Sequence, residues 1–471
     1  MNKVIAIIFI VIILLMCSVP LALALLGFNS PSVEKRAPAP FPSLFSVSGE
    51  VNSNFTADLD SYIADNFPLR TLLISSWHQL NISLLGQTGN SSVVLGDDGW
   101  LFFADSVPSY LGQDAFTAAE YSRLDTILRL QAEYLASRGI KFLYTVAPNK
   151  STIYPDLMPD RYTCKTDANA LAGVAVHLAT PGYIDLRSLL TTAADGSEPL
   201  YHRTDSHWNN RGALIAFLEI LNQASPLLGL NLATPYQSAG VSETASWEGD
   251  LAAMLFPSGP ALDIQQHFQV EQSYRYTRPL KSLEDLQIMT RSDGERSLLM
   301  FRDSFANALI PMISETFADA AYSRGVPYDY TLLDKMEADL VILEIVERNL
   351  ATWLDTPPRM PVQSLAGEKP ATQAAVVEMK MTAESESGYI KVSGQLTGNA
   401  IDASWTRVLM SIGGLLFEAF PVTFDGQTET AGFVLYFTAD AFVTLPAACQ
   451  IMVQIDSGWI AVDSVLPIIE K

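Results

Sequence analysis

The sequence predicts a layered α/β domain with a largely parallel sheet, preceded by a transmembrane helix and followed by an all-β sandwich. Three observations carry this reading. Short apolar runs of the kind buried on both faces of a sheet alternate with helical segments, the pattern of a parallel α/β layer. A proline-rich stretch at 354–373 ends that pattern, and beyond it apolar residues recur at every second position. From Val4 to Phe28 no residue is charged.

Residues 1–28 are the expected membrane anchor. The uncharged run of 25 residues exceeds the roughly 20 that a helix needs to cross a bilayer. A cleavable leader has a shorter apolar region and a small-x-small site; Ala22-Leu23-Ala24 is a cramped version, followed at once by Leu25 and Leu26. An uncleaved anchor is expected, with the body outside the cytoplasm, at the cell surface or in a periplasm-like space. Residues 29–49, with Pro31, Pro38, Pro40 and Pro42, read as a stalk.

The α/β domain is expected over 50–353. Residues 50–90 read as helical with a break at Phe67-Pro68-Leu69-Arg70, and 93–103 as strand, tight turn, strand. Leu124, Ile127, Leu128, Leu130 and Tyr134 give residues 117–138 helical spacing. Strands are expected at Lys141 to Ala147, Tyr183 to Leu186, Ser297 to Phe301, Tyr330 to Leu333 and Leu340 to Val346. Residues 354–373, with Pro357, Pro358, Pro361 and Pro370, form the linker, and 374–471 the sandwich.

Composition excludes several classes. Acidic residues number 51 and basic ones 29, for a net charge of −22, so a nucleic acid is not an expected partner: few counterions would be released on a phosphate backbone. Three scattered cysteines, Cys17, Cys164 and Cys449, supply neither a zinc cage nor a disulfide framework, and no metal or cofactor is expected.

Two stretches stand apart as carriers of chemistry. In the first, Tyr201 to Ala213, Asp205 and His207 lie two residues apart and share a face of extended backbone. A carboxylate so placed orients an imidazole and stabilises its cation; the structural alternative is that Asp205 caps a turn and His207 is packed. In the second, the apolar strand Leu298 to Phe301 runs through Arg302 into Asp303-Ser304-Phe305, with a helix expected from Ala306 to Phe317. A serine at a strand's carboxyl end and a helix's start lies beside free N–H donors that suit an oxyanion. The alternative is that Asp303 or Ser304 is only an N-cap. His78, His177, His202 and His267 have no partner at a telling spacing and read as surface or core.

With these residues in view, the sequence resembles the permuted SGNH-hydrolase-like proteins of polysaccharide O-acetylation, the alginate O-acetyltransferase group and the membrane-anchored DHHW proteins. The resemblance runs over about residues 60–350. It is carried by Phe67-Pro68-Leu69-Arg70, Gly99-Trp100-Leu101-Phe102, Ala147-Pro148-Asn149-Lys150, Thr204-Asp205-Ser206-His207-Trp208, Asp303-Ser304-Phe305 and Val346-Glu347-Arg348-Asn349, in that order. It implies an SGNH-like three-layer domain, circularly permuted so that acid and histidine precede the serine. It further implies Ser304 as nucleophile, His207 as general base and acid, and Asp205 as its orienting partner. Asn349, with Asn149 as runner-up, would supply an oxyanion donor, and Arg348 a substrate contact.

The chain departs from the pattern at Arg302, where glycine is usual, and at Ser206, the second position of the DHHW signature. Function is then expected to be serine-dependent O-acetyl transfer to a polysaccharide acceptor, beside a multi-span membrane O-acyltransferase. The rivals are a carbohydrate esterase with the same residues and a non-catalytic glycan-binding scaffold. For the C-terminal sandwich, resemblance suggests a carbohydrate-binding module. Trp405, Trp459 and Tyr436 are its candidate stacking platforms, or else parts of its core.

Overall fold

The computed structural model describes residues 3–28, 38–45, 49–196, 198–424, 429–438 and 447–466. Residues 29–37 and 46–48 of the expected stalk lie outside them. The N-terminal helix, Lys3–Leu25, is long and apolar enough over Val4–Ala24 to cross a bilayer by length and composition. Helices Phe55–Asn66 and Arg70–Leu85 follow, broken at Phe67-Pro68-Leu69 as expected.

Strands β1 (Val93–Leu95) and β2 (Leu101–Phe103) form a hairpin. Next come β3 (Lys141–Ala147) and β4 (Tyr183–Ile184) of the central sheet, then a second hairpin of β5 (Val241–Glu248) and β6 (Leu262–Phe268). The central sheet continues with β7 (Arg275–Tyr276), β8 (Gln287–Arg291), β9 (Ser297–Phe301), β10 (Asp319–Ser323) and β11 (Leu340–Val346). Its order is β4-β3-β11-β9-β10-β8-β7. The first five strands are parallel, and β8 and β7 add an antiparallel edge.

Alternate residues of each strand enter opposite cores, as strand geometry requires. Leu143, Leu298, Met300 and Ile342 pack toward helix Asn210–Leu228, whereas Phe142, Tyr144, Leu299, Phe301 and Val341 pack toward helix Ala118–Ser137. The result is three layers, and it places the carboxyl ends of β3, β9 and β11 side by side.

Three local expectations are corrected. The strand expected over Tyr183 to Leu186 ends at Ile184, because Asp185 caps a helix, Leu186–Ala194, that starts there. Tyr330 to Leu333 is not a strand but a 3-10 turn, Tyr330–Asp334; its apolar residues fill the core beneath helix Ala118–Ser137 without pairing. The fifth parallel strand is instead Asp-Ala-Ala-Tyr-Ser, whose small and polar residues hid it. The helix expected over 306–317 starts as a 3-10 turn, Phe305–Ala308, before a shorter helix, Ile310–Thr316, with Pro311 in its first turn, where a missing N–H costs nothing.

The C-terminal unit comprises β12 (Ser364–Leu365), β13 (Thr372–Ala374), β14 (Glu378–Glu386), β15 (Tyr389–Thr397), β16 (Arg407–Ile412), β17 (Leu415–Val422), β18 (Ala431–Thr438), β19 (Ala447–Ile455) and β20 (Gly458–Leu466). It is all-β, but the expected sandwich is corrected to one continuous sheet, β13-β20-β19-β16-β17-β18-β15-β14, with β12 on β17. The sheet curls as a half-barrel around a single core, bringing β14 near β20. Alternation reports one buried face, and it reads alike whether the opposite wall is a second sheet or the same sheet returning.

This unit sits against helix Ala118–Ser137. The fully buried Arg123 stacks 4.4 Å above the Trp405 ring and donates to its carbonyl at 2.8 Å. Phe420 joins the α/β core, and Arg129 pairs with Glu418 at 2.8 Å. Trp405 and Tyr436 are buried, so of the three candidate platforms these two are core; Trp459 is half-buried beneath Arg407.

Candidate active site

The two chemistry-bearing stretches meet at the carboxyl edge of the sheet. Residues 201–208 form a closed loop: Tyr201 bridges Trp208, and Asn209 caps helix Asn210–Leu228 by accepting from the Arg211 and Gly212 N–H groups. Trp208 Nε1 donates to the Phe305 carbonyl at 2.9 Å and its ring packs edge-on to Phe305. This tie crosses from the loop to the residue after Ser304. It holds the two stretches together although 97 residues separate His207 from Ser304.

The Ser304 hydroxyl lies 2.9 Å from His207 Nε2, and His207 Nδ1 lies 2.7 Å from Asp205 Oδ1. A carboxylate only accepts, so Nδ1 carries the proton and Nε2 is free to accept from the serine. Phe305 packs against the imidazole at 4.8 Å between ring centres. The cap alternative for the elbow is resolved by geometry: Asp303 does the capping, accepting from Phe305 N–H at 2.8 Å and Val346 N–H at 2.7 Å, and the Ser304 side chain makes no cap bond. Arg302 is buried beneath the elbow, donating to the carbonyls of Asp303 at 3.1 Å and Leu283 at 2.6 Å and to Asn307. Its side chain therefore lies below the turn.

Asp205 is buried and fully occupied. Oδ1 accepts from the His207 ring and, at 2.8 Å, its backbone N–H; Oδ2 accepts from Trp247 Nε1 at 2.9 Å and Asp250 N–H at 3.0 Å. Burial opposes ionisation, yet the bonds and charge of His207 with the Asp250 N–H outweigh it and hold this carboxyl well below its ordinary range. Asp205 thus binds the imidazole and organises its own turn with the same carboxylate.

Three neighbours are not among the expected site residues. Asp250 accepts from the Ser206 N–H at 2.7 Å and hydroxyl at 2.6 Å; burial and the nearby Asp205 charge raise its pKa. Trp247 stacks on His202 with ring centres 4.7 Å apart. Lys150, buried, donates to the carbonyls of His202 at 3.0 Å, Arg203 at 3.2 Å and Asp205 at 2.5 Å, with Trp100 and Phe102 about its ammonium. Burial pushes Lys150 down to about 8. Lys150 closes the Ala147-Pro148-Asn149-Lys150 motif, but nothing local links it to a loop some fifty residues on. Gly249 carries a weak signal: a Cβ there would fall 2.3 Å from the Thr204 carbonyl, so only glycine lets the Asp250 turn approach the acid's loop.

The oxyanion expectations separate. Asn349 is exposed, and none of the hydrogen bonds found among the described residues ties it to Ser304 or His207. Asn149 is buried just beyond β3; its Oδ1 accepts from Arg348 at 3.3 Å, and its Nδ2 is a buried donor without a partner. Arg348 stacks over Phe103 at 5.2 Å and Phe305 at 5.4 Å. Beneath Asn149, Glu347 accepts from its N–H at 2.7 Å, from the Thr152 hydroxyl at 2.7 Å and from Asn169 at 2.5 Å. Burial raises this carboxyl to about 7.

Asp205, His207 and Asp250 lie close enough to share a metal ion, with ligand atoms within 4.8 Å of one another. Their oxygens already accept the hydrogen bonds described, which a cation would have to displace. Of the other histidines, His78 bonds to the Thr88 carbonyl at 2.6 Å and His177 stacks on Tyr121. His267 is exposed beside Thr244.

The chain is similar to several known proteins. A Pseudomonas syringae pv. tomato protein described as "Probable alginate O-acetylase AlgJ" is 28% identical over 224 residues, covering 45% of this chain and 54% of that protein. The chain therefore spans about half the length of such curated relatives. Among solved structures, a DHHW family protein from Eubacterium siraeum is 14% identical, with a TM-score of 0.42 over 55% of this chain and 92% of that one. The O-acetyltransferase domain of Pseudomonas putida AlgJ is 20% identical, with a TM-score of 0.36 and the same two coverages of 55% and 92%. A family match covers residues 93–286, which include Asp205 and His207 and stop short of Ser304. Over that segment the resemblance read from the motif order holds: residues 93–286 match the family described as SGNH hydrolase-like domain, acetyltransferase AlgX.

Proposed function

We propose that the chain is an extracytoplasmic serine-dependent O-acetyltransferase that acylates a hydroxyl of a polysaccharide. The observation that carries the reading is the unbroken relay from the Ser304 hydroxyl to His207 at 2.9 Å and on to Asp205 at 2.7 Å. In this reading His207 takes the serine proton as the hydroxyl attacks an acyl donor, and returns it to the leaving group. An acyl-enzyme remains, and His207 then deprotonates the sugar hydroxyl that accepts the acyl group. Asp205 fixes the imidazole and stabilises its cation. The Ser304 N–H and Asn149 Nδ2 are the proposed oxyanion donors, and Arg348 a substrate contact. The relatives' printed description, alginate O-acetylase, supports a polysaccharide as acceptor. An anchor at Val4–Ala24 supports work at a membrane, beside a multi-span O-acyltransferase as donor-side partner.

Hydrolysis is the second reading, favoured by one feature: the His207 side chain is 23% exposed, so water reaches the base. The protein incubated with an activated acetyl ester and an oligosaccharide separates the two. Acetylated sugar is the expected product; acetate alone assigns an esterase. A serine-directed covalent probe that fails to label Ser304, or labels it equally in His207→Ala, would defeat both.

A further inference from the structure

Helix Arg70–Leu85 buries polar side chains and leaves most of its large apolar ones exposed. Its buried residues are Thr71, Ser75, His78 and Asn81, all polar. They are occupied inward: the Ser75 hydroxyl accepts from Ser258, His78 bonds to the Thr88 carbonyl, and Asn81 donates back to Trp77. At about 100° per residue Leu73, Trp77, Leu80 and Leu84 form one side of the exposed surface, away from this polar arc, and Leu72, also exposed, lies on its other side. Those four are 53%, 57%, 52% and 72% exposed. A helix in water would lose by this arrangement, since each exposed leucine forgoes burial; the helix suits an apolar surface on its outer side.

Chain position and charge indicate which surface. Exposed large apolar residues recur from the end of the apolar N-terminal helix onward, with Phe41, Leu44, Phe45, Val51 and Ile63 leading to this helix. After Leu85 the next in the described chain is Val176. Although 51 of the 471 residues are acidic, none falls between Asn66 and Gly96, so this is a face that lipid headgroups do not repel. Trp77 at the centre of the stripe has the amphipathic ring that favours a membrane–water boundary. From these observations we infer that helix Arg70–Leu85 lies flat on the bilayer, its leucine stripe in the headgroup–acyl boundary and its polar face carrying the α/β domain. The inner side of the helix packs on helix Asp250–Leu255, so the candidate site would sit just above the lipid surface. The inference does not depend on the chemistry proposed for Ser304.

The test uses the full chain, with Cys17 and Cys164 replaced by serine, in nanodiscs of neutral phosphatidylcholine. Cysteine is introduced singly at Leu73, Leu80 or Leu84, and at Ser76 or Gln79 as controls, and carries a nitroxide. Power saturation compares collision with oxygen, which concentrates in lipid, and with a water-soluble nickel complex. Labels at 73, 80 and 84 are expected to favour oxygen severalfold over labels at 76 and 79. Equal nickel access at 80 and 79 overturns the inference. So does spin–spin broadening, which assigns the face to a second copy, and so does shielding from both reagents, which assigns it to protein. Three independent stripe positions guard against one that disturbs folding, checked by each chain's thermal midpoint.

Discussion

Asp205→Asn removes one charge and no volume, so its cost is set by the hydrogen bonds around the side chain. All four acceptor positions of the carboxylate are taken, two on Oδ1 by the His207 ring and backbone and two on Oδ2 by Trp247 and Asp250. An amide has one acceptor side and one donor side, so either orientation sets an NH2 against two N–H donors. With NH2 toward Trp247 and Asp250, two buried donors lose their acceptor, at about 1–3 kcal/mol each. With NH2 toward His207, the imidazole must move its proton to Nε2, and it can then no longer accept from Ser304. The expected result is a loss of roughly 2–6 kcal/mol of stability in the first case. In the second, Ser304 reactivity falls by on the order of 10³–10⁴-fold, as when a catalytic histidine is held in the wrong tautomer. The assay is the rate of Ser304 labelling by a serine-directed probe, read beside the urea midpoint. An Asn variant that labels within threefold of the parent and unfolds at the same urea concentration would refute the reasoning. The charge has its own signature. Because the folded pKa of Asp205 lies below its ordinary value of 3.8, its stabilisation is complete above that pH and drains away as pH falls toward the folded value. The Asn variant should lose less stability on acidification than the parent.

Four further outcomes are expected. Glu347, raised to about 7 from an ordinary 4.5, binds a proton in the folded state that the unfolded chain has lost, so stability falls as pH rises between those values; Glu347→Gln should remove about 2 kcal/mol of the fall between pH 5 and pH 7, read as urea unfolding at those two pH values. If Asn149 Nδ2 is an oxyanion donor, Asn149→Ala lowers acetyl transfer by about 10²–10³-fold, while Asn349→Ala leaves the rate unchanged. Lys150→Met strips the donor from three loop carbonyls, and should slow Ser304 labelling and raise hydrogen exchange within residues 201–208; exchange equal to the parent's contradicts the role. Trp405→Ala should cost about 3–5 kcal/mol by calorimetry without altering retention on immobilised polysaccharide, whereas lost retention at unchanged stability would restore it as a platform.

Much of the fold was legible because its signals are local. Strands β3, β9 and β11 are continuous apolar runs, and each appears with the boundaries the sequence implies. Strand β10 escaped because a sheet's inner strand can be built from alanines where large neighbours fill both cores. The converse holds at Tyr330, where apolar residues serve packing and not pairing. In the candidate site, spacing and motif order single out Asp205, His207 and Ser304, which the fold brings within hydrogen-bond distance, Asp205 to His207 and His207 to Ser304. Their supports do not follow from that spacing: Trp247, Asp250 and Lys150 act on the acid from 42, 45 and 55 residues away, and only the folded chain shows that distance closed. Asn349 and Asn149 both follow a strand, and only the folded chain shows that the first is exposed and the second buried.

The Arg123–Trp405 contact has a mechanical meaning. A guanidinium sealed between a helix of one unit and an indole of the other leaves the half-barrel no hinge on that side. If the half-barrel grips a polymer, it does so as a fixed jig, fastened to the frame that carries Ser304. The distance from that grip to Ser304 would then be constant.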